Sequence, residues 1–339
     1  MANKKKDKKV EINAKSAQNW IGRVVRTAGG SSWVIPDEGG SPIECKVKGK
    51  FRLKGIRTTN PVAVGDKVVV CPSGNTKGSV SEGEISYIVE ILPRNNYIIR
   101  RASNLSKESH ILAANIDQAI LVVSLRLPET PLTFIDRFLA TCEAYNIHAI
   151  IVVNKADLFD EDCAELAAGM KYLYESLGYG FLITSAETGE GIEKLKEITR
   201  DKLSLMAGNS GVGKSSLINC LAPDANLRTG EISDLHRTGT HTTTFSEMIT
   251  LPYGGELIDV PGVKSFGMID FQASEVDHYF PELFKASEKC KFDDCRHIGE
   301  PGCNVKEMVD RNYIAQSRYT SYLNILEEIE EGEKYRKAN

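Results

Sequence analysis

The chain has 339 residues, of which 41% are hydrophobic and 26% are charged, and its formal net charge is −4. This ordinary composition and this length predict two or three globular domains. No stretch approaches the ~20 apolar residues of a membrane span, so no membrane association is expected. Five lysines within the first nine residues precede no apolar segment, which argues against a secretory signal. The eight cysteines are therefore expected to be reduced, and the protein to be cytoplasmic.

Positive charge is concentrated in the first third of the chain. Residues 1–101 contain 19 Lys and Arg against 9 Asp and Glu, whereas the remainder is acidic. A solvated lysine tail would explain residues 1–18, which we expect to be disordered. It does not explain the basic residues further along, which are Lys46, Lys48, Lys50, Arg52, Lys54 and Arg57. These residues indicate a module that binds a polyanion, with an ordinary solvated surface as the alternative.

Residues 19–102 show short β-patterns separated by turn residues. The predicted strands are Gly22–Thr27, Ser32–Ile35, Ile43–Lys48, Asp66–Cys71 and Gly83–Ile91. Five short strands in about 80 residues predict a small barrel, for which an OB-fold is the obvious candidate. Basic side chains alternating with apolar ones on such a barrel suit RNA.

Residues 103–270 change to alternating apolar strands and helices. Predicted strands are Asp117–Leu125, His148–Val153, Gly180–Thr184, Glu247–Leu251 and Glu256–Val260, and predicted helices are Thr133–Tyr145, Glu161–Leu177 and Gly191–Lys202. This alternation predicts a doubly wound α/β domain whose ligands bind at the carboxyl ends of the strands. Residues 271–339 are predicted to form a small helical domain closed by a helix near Tyr313–Glu331.

A phosphate-binding loop lies in the middle of the α/β region. Gly208, Gly213, Lys214 and Ser215 fit G-x-x-x-x-G-K-[ST] between a strand and a helix. Backbone N–H groups and the helix N-terminus would hold phosphate, Lys214 would reach the β- and γ-phosphates, and Ser215 would bind Mg²⁺. The alternative is a plain glycine-rich turn. The predicted nucleotide-binding residues here are Gly208, Asn209, Ser210, Gly211, Val212, Gly213, Lys214, Ser215 and Ser216.

The sequence Asn154-Lys155-Ala156-Asp157 predicts that the base is guanine. The Asp157 carboxylate can accept hydrogen bonds from guanine N1–H and the 2-amino group, which adenine does not offer. Lys155 would lie over the base, and Asn154 would tie this loop to the phosphate loop. A Ser185–Ala186 pair follows the next predicted strand and would contact guanine O6 through backbone N–H. Taken alone, the Asn154–Asp157 segment could instead be a helix start capped by aspartate.

Two further motifs complete a GTPase set. Asp259 and Gly262 fit D-x-x-G, in which the aspartate holds Mg²⁺ through water and the glycine N–H meets the γ-phosphate. The run Gly239–Thr244 has the composition of switch I, and Thr243 is favoured over Thr242 as its Mg²⁺ ligand. Loss of the γ-phosphate would release both segments.

Three cysteines and one histidine cluster near the C-terminus. Cys290, Cys295, His297 and Cys303 fall within 14 residues and predict a closed, structural Cys₃His zinc site. The spacing departs from the common C-x2-C form, and unrelated buried cysteines are the alternative. A metal would stabilise a domain too small to bury a large core.

The order of the motifs is unusual, because the base motifs at 154–157 and 185–186 precede the phosphate loop. This order indicates a circular permutation, so that the segment after Gly262 runs directly into the C-terminal domain. With the basic barrel and the Cys/His cluster, the chain resembles the RsgA (YjeQ) family of circularly permuted GTPases over residues 20–330. The resemblance implies a GTPase that the small ribosomal subunit stimulates during its late maturation, with contacts to 16S rRNA near the decoding region. We also expect a monomer.

The residue that usually orients the attacking water is missing from this sequence, so another residue must take that role. Ras-like enzymes place a glutamine directly after D-x-x-G, but here the residue is Val263, which cannot hydrogen-bond water. His241, beside the switch I threonines, is the catalytic candidate, and the resemblance supports that role; the alternative is a surface histidine. Two other functions stay open: a small-molecule P-loop enzyme, and an RNA-binding switch in which hydrolysis is incidental.

Overall fold

The N-terminal part of the computed structural model is a closed five-stranded barrel. Across the whole chain, the structure describes residues 19–47, 61–72, 86–101, 109–225, 246–259 and 271–338. The barrel strands are β1 (Trp20–Ala28), β2 (Ser31–Pro36), β3 (Ile43–Val47), β4 (Lys67–Cys71) and β5 (Ser86–Ile91). They pair in the order β1-β2-β3-β5-β4, and β4 returns to β1. The predicted OB-fold barrel is confirmed.

Alternating apolar side chains fill the barrel. Val24, Val34, Val68 and Ile88 point into one cluster and are all 0% exposed. Lys46, between buried Cys45 and half-buried Val47, is exposed as the alternating pattern predicts. The tail 1–18 and the basic residues Lys48, Lys50, Arg52, Lys54 and Arg57 lie outside the described residues.

A hairpin that the sequence analysis did not anticipate follows the barrel. It comprises β6 (Tyr97–Arg101) and β7 (Ser109–Ala114), which pair antiparallel. The Ala114 N–H donates to the Val64 carbonyl at 2.9 Å, so the hairpin is fastened to the barrel. The sequence analysis placed a domain boundary between residues 102 and 103, which lie between these two strands. That boundary stays a prediction.

The central domain is a doubly wound α/β sheet. Its elements are β8 (Gln118–Ser124), α1 (Leu132–Ala144), β9 (His148–Asn154), α2 (Glu161–Ser176), β10 (Gly180–Ile183), α3 (Ile192–Thr199), β11 (Leu203–Gly208), α4 (Lys214–Leu221), β12 (Ser246–Thr250) and β13 (Glu256–Asp259). The strand order is β10-β9-β8-β11-β13-β12, and only β12 is antiparallel to its neighbour within this set. Helices α1 and α2 pack on one face and α3 and α4 on the other.

Helix α3 is shorter than the predicted Gly191–Lys202. It ends at Thr199, because Arg200 is extended and Asp201 has a φ of 55°. The chain must turn there to bring Lys202 alongside Glu256, whose N–H donates to the Lys202 carbonyl at 2.9 Å.

The barrel and the α/β domain share one continuous sheet. Strand β1 pairs antiparallel with β12, with Arg26 opposite Glu247 and Thr27 opposite Ser246. An ion pair between Arg23 and Glu256 crosses the same junction. The strand that follows the switch I sequence is therefore hydrogen-bonded to the barrel.

The C-terminal domain packs on α1. Its helices are α5 (Pro281–Ser287), α6 (Asn304–Asp310) and α7 (Gln316–Ala338), so the last helix begins three residues later than predicted. Ala140 of α1 joins its apolar core with Phe280, Leu283 and Tyr322. Within the described residues, no helix combines the length and apolar character that crossing a bilayer requires.

Candidate nucleotide site and metal centre

At two positions of the phosphate loop, a neighbouring group lies so close to the backbone that no side chain fits. A Cβ on Gly208 would lie 2.5 Å from the Val122 carbonyl oxygen, and one on Gly213 would lie 2.3 Å from Asn154 Nδ2. Gly213 also has a φ of 89°, in the left-handed region that favours glycine. Only glycine therefore fits at these two motif positions. Helix α4 begins at Lys214, so its N-terminus faces the loop.

The sheet gathers the predicted motifs at one edge. Strands β8, β9, β10, β11 and β13 run parallel, so their carboxyl ends meet there. Strand β9 ends at Asn154, β11 at Gly208 and β13 at Asp259, and Ser185 follows β10 by two residues. The Lys214 ammonium contacts the Asp259 carboxylate directly. The lysine predicted to bind phosphate and the aspartate of the D-x-x-G motif are thus neighbours.

Asn154 connects the base motifs to the phosphate loop, as the sequence predicts. Its Nδ2 donates to the Val212 carbonyl at 3.0 Å. Its Oδ1 accepts hydrogen bonds from the Ala186 N–H and the Thr184 hydroxyl, each at 3.2 Å. Because the Ala186 N–H donates to Asn154 here, its contact with guanine O6 stays a prediction.

Asp157 lies on a short 3₁₀ turn, Ala156–Leu158. Its Oδ1 accepts a hydrogen bond from the Ser185 hydroxyl, which itself accepts one from the Thr188 N–H at 3.1 Å. This arrangement orients the carboxylate and joins the two predicted base motifs. Lys155, the preceding residue, has a left-handed backbone with a φ of 67°, and its ammonium donates to the Leu127 carbonyl. No sequence motif pointed to Leu127.

Ser215 and Ser216 occupy the first turn of α4, half-buried beside the loop. Ser215 would hold Mg²⁺, whose chemistry is to neutralise charge on the phosphates. The hydroxyl and the Asp259 carboxylate, which contacts the adjacent Lys214, are the hard oxygen donors that Mg²⁺ prefers. The other switch residues, namely His241, Thr242, Thr243, Gly262 and Val263, lie outside the described residues.

The Cys/His cluster comes together in three dimensions. The sulfur atoms of Cys290, Cys295 and Cys303 and one imidazole nitrogen of His297 all lie within 4.8 Å of one another. Three thiols and an imidazole suit a soft or borderline ion in tetrahedral geometry. Burial raises the pKa of the Cys295 thiol to about 12, so a bound metal would have to displace that proton. The four residues can hold one metal ion.

Asp277 completes this centre and was not predicted from the sequence. Nδ1 of His297 faces the sulfur atoms of Cys303 and Cys290, at 3.5 and 3.7 Å, and Nε2 lies 3.5 Å from Asp277 Oδ2. Burial lowers the pKa of His297, but the hydrogen bond with Asp277 and the charge of Cys290 outweigh it and raise the pKa. A carboxylate on the outer nitrogen fixes the ring so that Nδ1 faces the metal position.

Glu300 organises the loop that carries His297. Its carboxylate accepts hydrogen bonds from the N–H groups of Arg296, Ile298 and Gly299, at 3.0, 2.9 and 3.0 Å. Partial burial raises the pKa of Glu300, but a hydrogen bond from its own backbone N–H, together with these three bonds, outweighs it and lowers the pKa to about 2. The loop therefore depends on an ionised carboxylate.

Comparison with known proteins places both catalytic and barrel regions in one family. Residues 91–269 match the family described as RsgA GTPase, and residues 21–80 match the RsgA N-terminal domain. The chain belongs to the RsgA family. Family membership makes it a GTP hydrolase, for which Mg²⁺ with the nucleotide is implied.

RsgA relatives match almost the full length. The small ribosomal subunit biogenesis GTPase RsgA of Bacteroides fragilis (strain YCH46) is 51% identical over 318 residues, which cover 94% of this chain and 99% of that protein. The protein of the same name from Porphyromonas gingivalis (strain W83) is 52% identical over 310 residues, or 91% and 96% of the two chains.

Two solved structures share the fold of this chain. YjeQ from Thermotoga maritima is 35% identical with a TM-score of 0.71, covering 91% of this chain and 98% of that one. YloQ, a circularly permuted GTPase, is 29% identical with a TM-score of 0.69, covering 94% and 97%. The permutation inferred from motif order is confirmed.

Proposed function

We propose that this GTPase acts in the late maturation of the small (30S) ribosomal subunit and is stimulated by contact with that subunit and its 16S rRNA. The observation that carries the proposal is the full-length match to relatives named for small ribosomal subunit biogenesis, which spans barrel, GTPase domain and metal centre together. The basic composition of residues 1–101 supports RNA as the partner of the barrel. We propose further that the protein acts in the cytoplasm, as a monomer.

In this proposal each residue of the nucleotide site has its own role. Asp157 recognises guanine, Lys155 lies over the base, and Ser185 and Ala186 close the base pocket. The loop Gly208–Ser216 holds the phosphates, with Lys214 on the β- and γ-phosphates. Ser215, Thr243 and, through water, Asp259 hold Mg²⁺, while the Gly262 N–H meets the γ-phosphate. His241 orients the attacking water, since Val263 cannot.

The metal centre holds one structural zinc ion. Zinc favours three thiolates and one imidazole in a closed tetrahedral site, and no fifth side chain is needed for that geometry. The neighbouring Asp277 supports the assignment, because a carboxylate behind a ligating histidine is a usual feature of zinc sites. Elemental analysis of purified full-length protein should give about one equivalent of zinc; much less than that, or another metal in its place, contradicts the proposal.

GTP turnover with and without purified small subunits tests the ribosomal role. We expect a large rise in turnover with small subunits that weakens as salt increases, since phosphate contacts release counterions. Large subunits and free RNA of matched mass serve as controls, and a Lys214→Ala variant gives the background. A flat response, or equal stimulation by the controls, overturns the small subunit as the activating partner.

A further inference from the structure

We propose that the loop Leu125–Thr130, here named the clasp loop, is a part of the nucleotide site, and that Leu127 is a positioning residue acting through Lys155. The clasp loop follows β8, whose carboxyl end lies at the site edge between β9 and β11. It belongs to none of the GTPase motifs. The inference concerns guanine nucleotide binding and does not depend on the ribosomal role.

The backbone carbonyl of Leu127 fixes the far end of the Lys155 side chain. The ammonium donates to that carbonyl, and the stem passes over the phosphate loop, with Cε 4.0 Å from the position of a Cβ on Gly213. A free lysine side chain loses about 2 kcal/mol of rotamer entropy when it is ordered. The contact with the Leu127 carbonyl orders the ammonium end, so the stem is placed where it can cover the base.

The backbone of Leu127 adopts an uncommon conformation to present this carbonyl. Its φ is 48°, in the left-handed region, and its side chain is 75% exposed. An exposed side chain gains little from packing, so burial does not explain the conformation. Residues held in this region are enriched at functional sites. The surrounding bonds impose it: the Thr130 N–H donates to the Ser124 carbonyl at 2.9 Å, and the Ser124 hydroxyl donates to the Pro128 carbonyl.

The clasp loop also contacts the phosphate loop. Pro128 Cδ lies 3.2 Å from the position of a Cβ on Gly211, so the proline ring packs closely against that glycine. The clasp loop thus contacts both Lys155 and Gly211, and the Asn154–Val212 hydrogen bond joins the same two motifs a second time. Its contribution should be to nucleotide affinity, because neither contact reaches the hydrolysed bond.

Two substitutions at position 127 separate the effect of the backbone conformation on nucleotide binding from the effect of the side chain. Valine is β-branched and disfavours a positive φ, whereas asparagine tolerates it. We expect Leu127→Val to weaken binding of a fluorescent GDP on the order of tenfold, as for the loss of one charge-assisted hydrogen bond, and Leu127→Asn to bind like the parent. Single-turnover hydrolysis at saturating GTP should be unchanged in both. Equal losses in the two variants, or no loss with valine, overturn the proposal.

A double variant tests whether the effect passes through Lys155. In a Lys155→Met background, Leu127→Val should cause no further loss, because the ammonium that the carbonyl holds is gone. A merely structural defect would persist there and would contradict the proposal. Lys194→Ala is the control, since Lys194 lies outside the clasp loop, on α3, and pairs with Glu197 at the surface. Its affinity for GDP should equal that of the parent.

Discussion

The side-chain amide of Asn154 donates to the carbonyl of Val212 at 3.0 Å, 58 residues further along the chain. The same side chain accepts from Thr184 and Ala186, and its buried position leaves no water to replace these bonds. One residue therefore holds three of the predicted nucleotide-binding segments in register. The permuted chain order does not change this arrangement, because the same sheet edge assembles it.

Asn154→Ala should weaken GTP and GDP binding by about tenfold or more, because it leaves the Val212 carbonyl without its donor at a cost of about 1–3 kcal/mol. Thr184→Val removes only one of the three bonds and should cost less. Asn154→Asp keeps the size but cannot donate, so it should resemble alanine. Titration with a fluorescent GDP measures all three, and near-parental affinity in the aspartate variant would contradict this role.

His241→Ala should retain GTP affinity and lose most of the hydrolysis stimulated by small subunits, because the water loses its orienting group. Phosphate release is the readout, with nucleotide affinity measured in parallel. His148→Ala is the control, since His148 is exposed at the start of β9, opposite to the edge that carries the site. Unchanged turnover in His241→Ala would show that another residue orients the water.

Asp277→Asn should weaken zinc binding by about 10–100-fold, because the amide no longer fixes the outer nitrogen of His297 as a carboxylate does. Competition with a coloured chelator measures the change. Asp293→Asn alters an exposed carboxylate near the same cluster and should leave zinc affinity unaffected. If the two variants lost zinc equally, Asp277 would have no special role.

Glu300→Gln should destabilise the metal-binding domain in a pH-dependent way. The pKa of Glu300 is lowered from 4.5 to about 2 in the fold. The stability that the ionised carboxylate gives the domain is therefore complete above pH 4.5 and is lost as the pH falls towards 2. The variant lacks the charge at every pH. The difference in midpoint temperature of metal release between parent and variant should thus be largest above pH 5 and shrink on acidification. A difference that does not depend on pH would contradict the assignment.

Arg318→Met should destabilise the C-terminal domain by about 3–5 kcal/mol. Arg318 is fully buried, donates to Asp136 at 2.9 Å and forms a bidentate ion pair with Glu282. Its loss would leave both carboxylates without their cation. Denaturant-induced release of the metal measures the loss. Arg311→Met removes an exposed pair with Glu307 and should change stability by no more than about 0.5 kcal/mol. Similar effects in the two variants would contradict the buried network.

Local signals made much of this fold predictable. The glycines of the phosphate loop, the Asp157 motif and the Cys/His spacing each lie within a few residues, and strand alternation gave the barrel. Asp277, Leu127 and Arg318 were missed because their partners are distant in sequence: Arg318 meets Asp136 across 182 residues. A single charged residue has no periodicity, and a carbonyl group has no sequence signal at all. Tertiary packing alone brings these groups together.

The buried contact between Arg318 and Asp136 makes α1 the attachment point of the C-terminal domain. Asp136 also accepts hydrogen bonds from Ser321 and Tyr174, so α7 of the C-terminal domain is fixed to α1 and α2. Helix α1 begins two residues after the clasp loop ends. Helix α1 therefore links the C-terminal domain, through Asp136, to the loop that carries the Leu127 carbonyl.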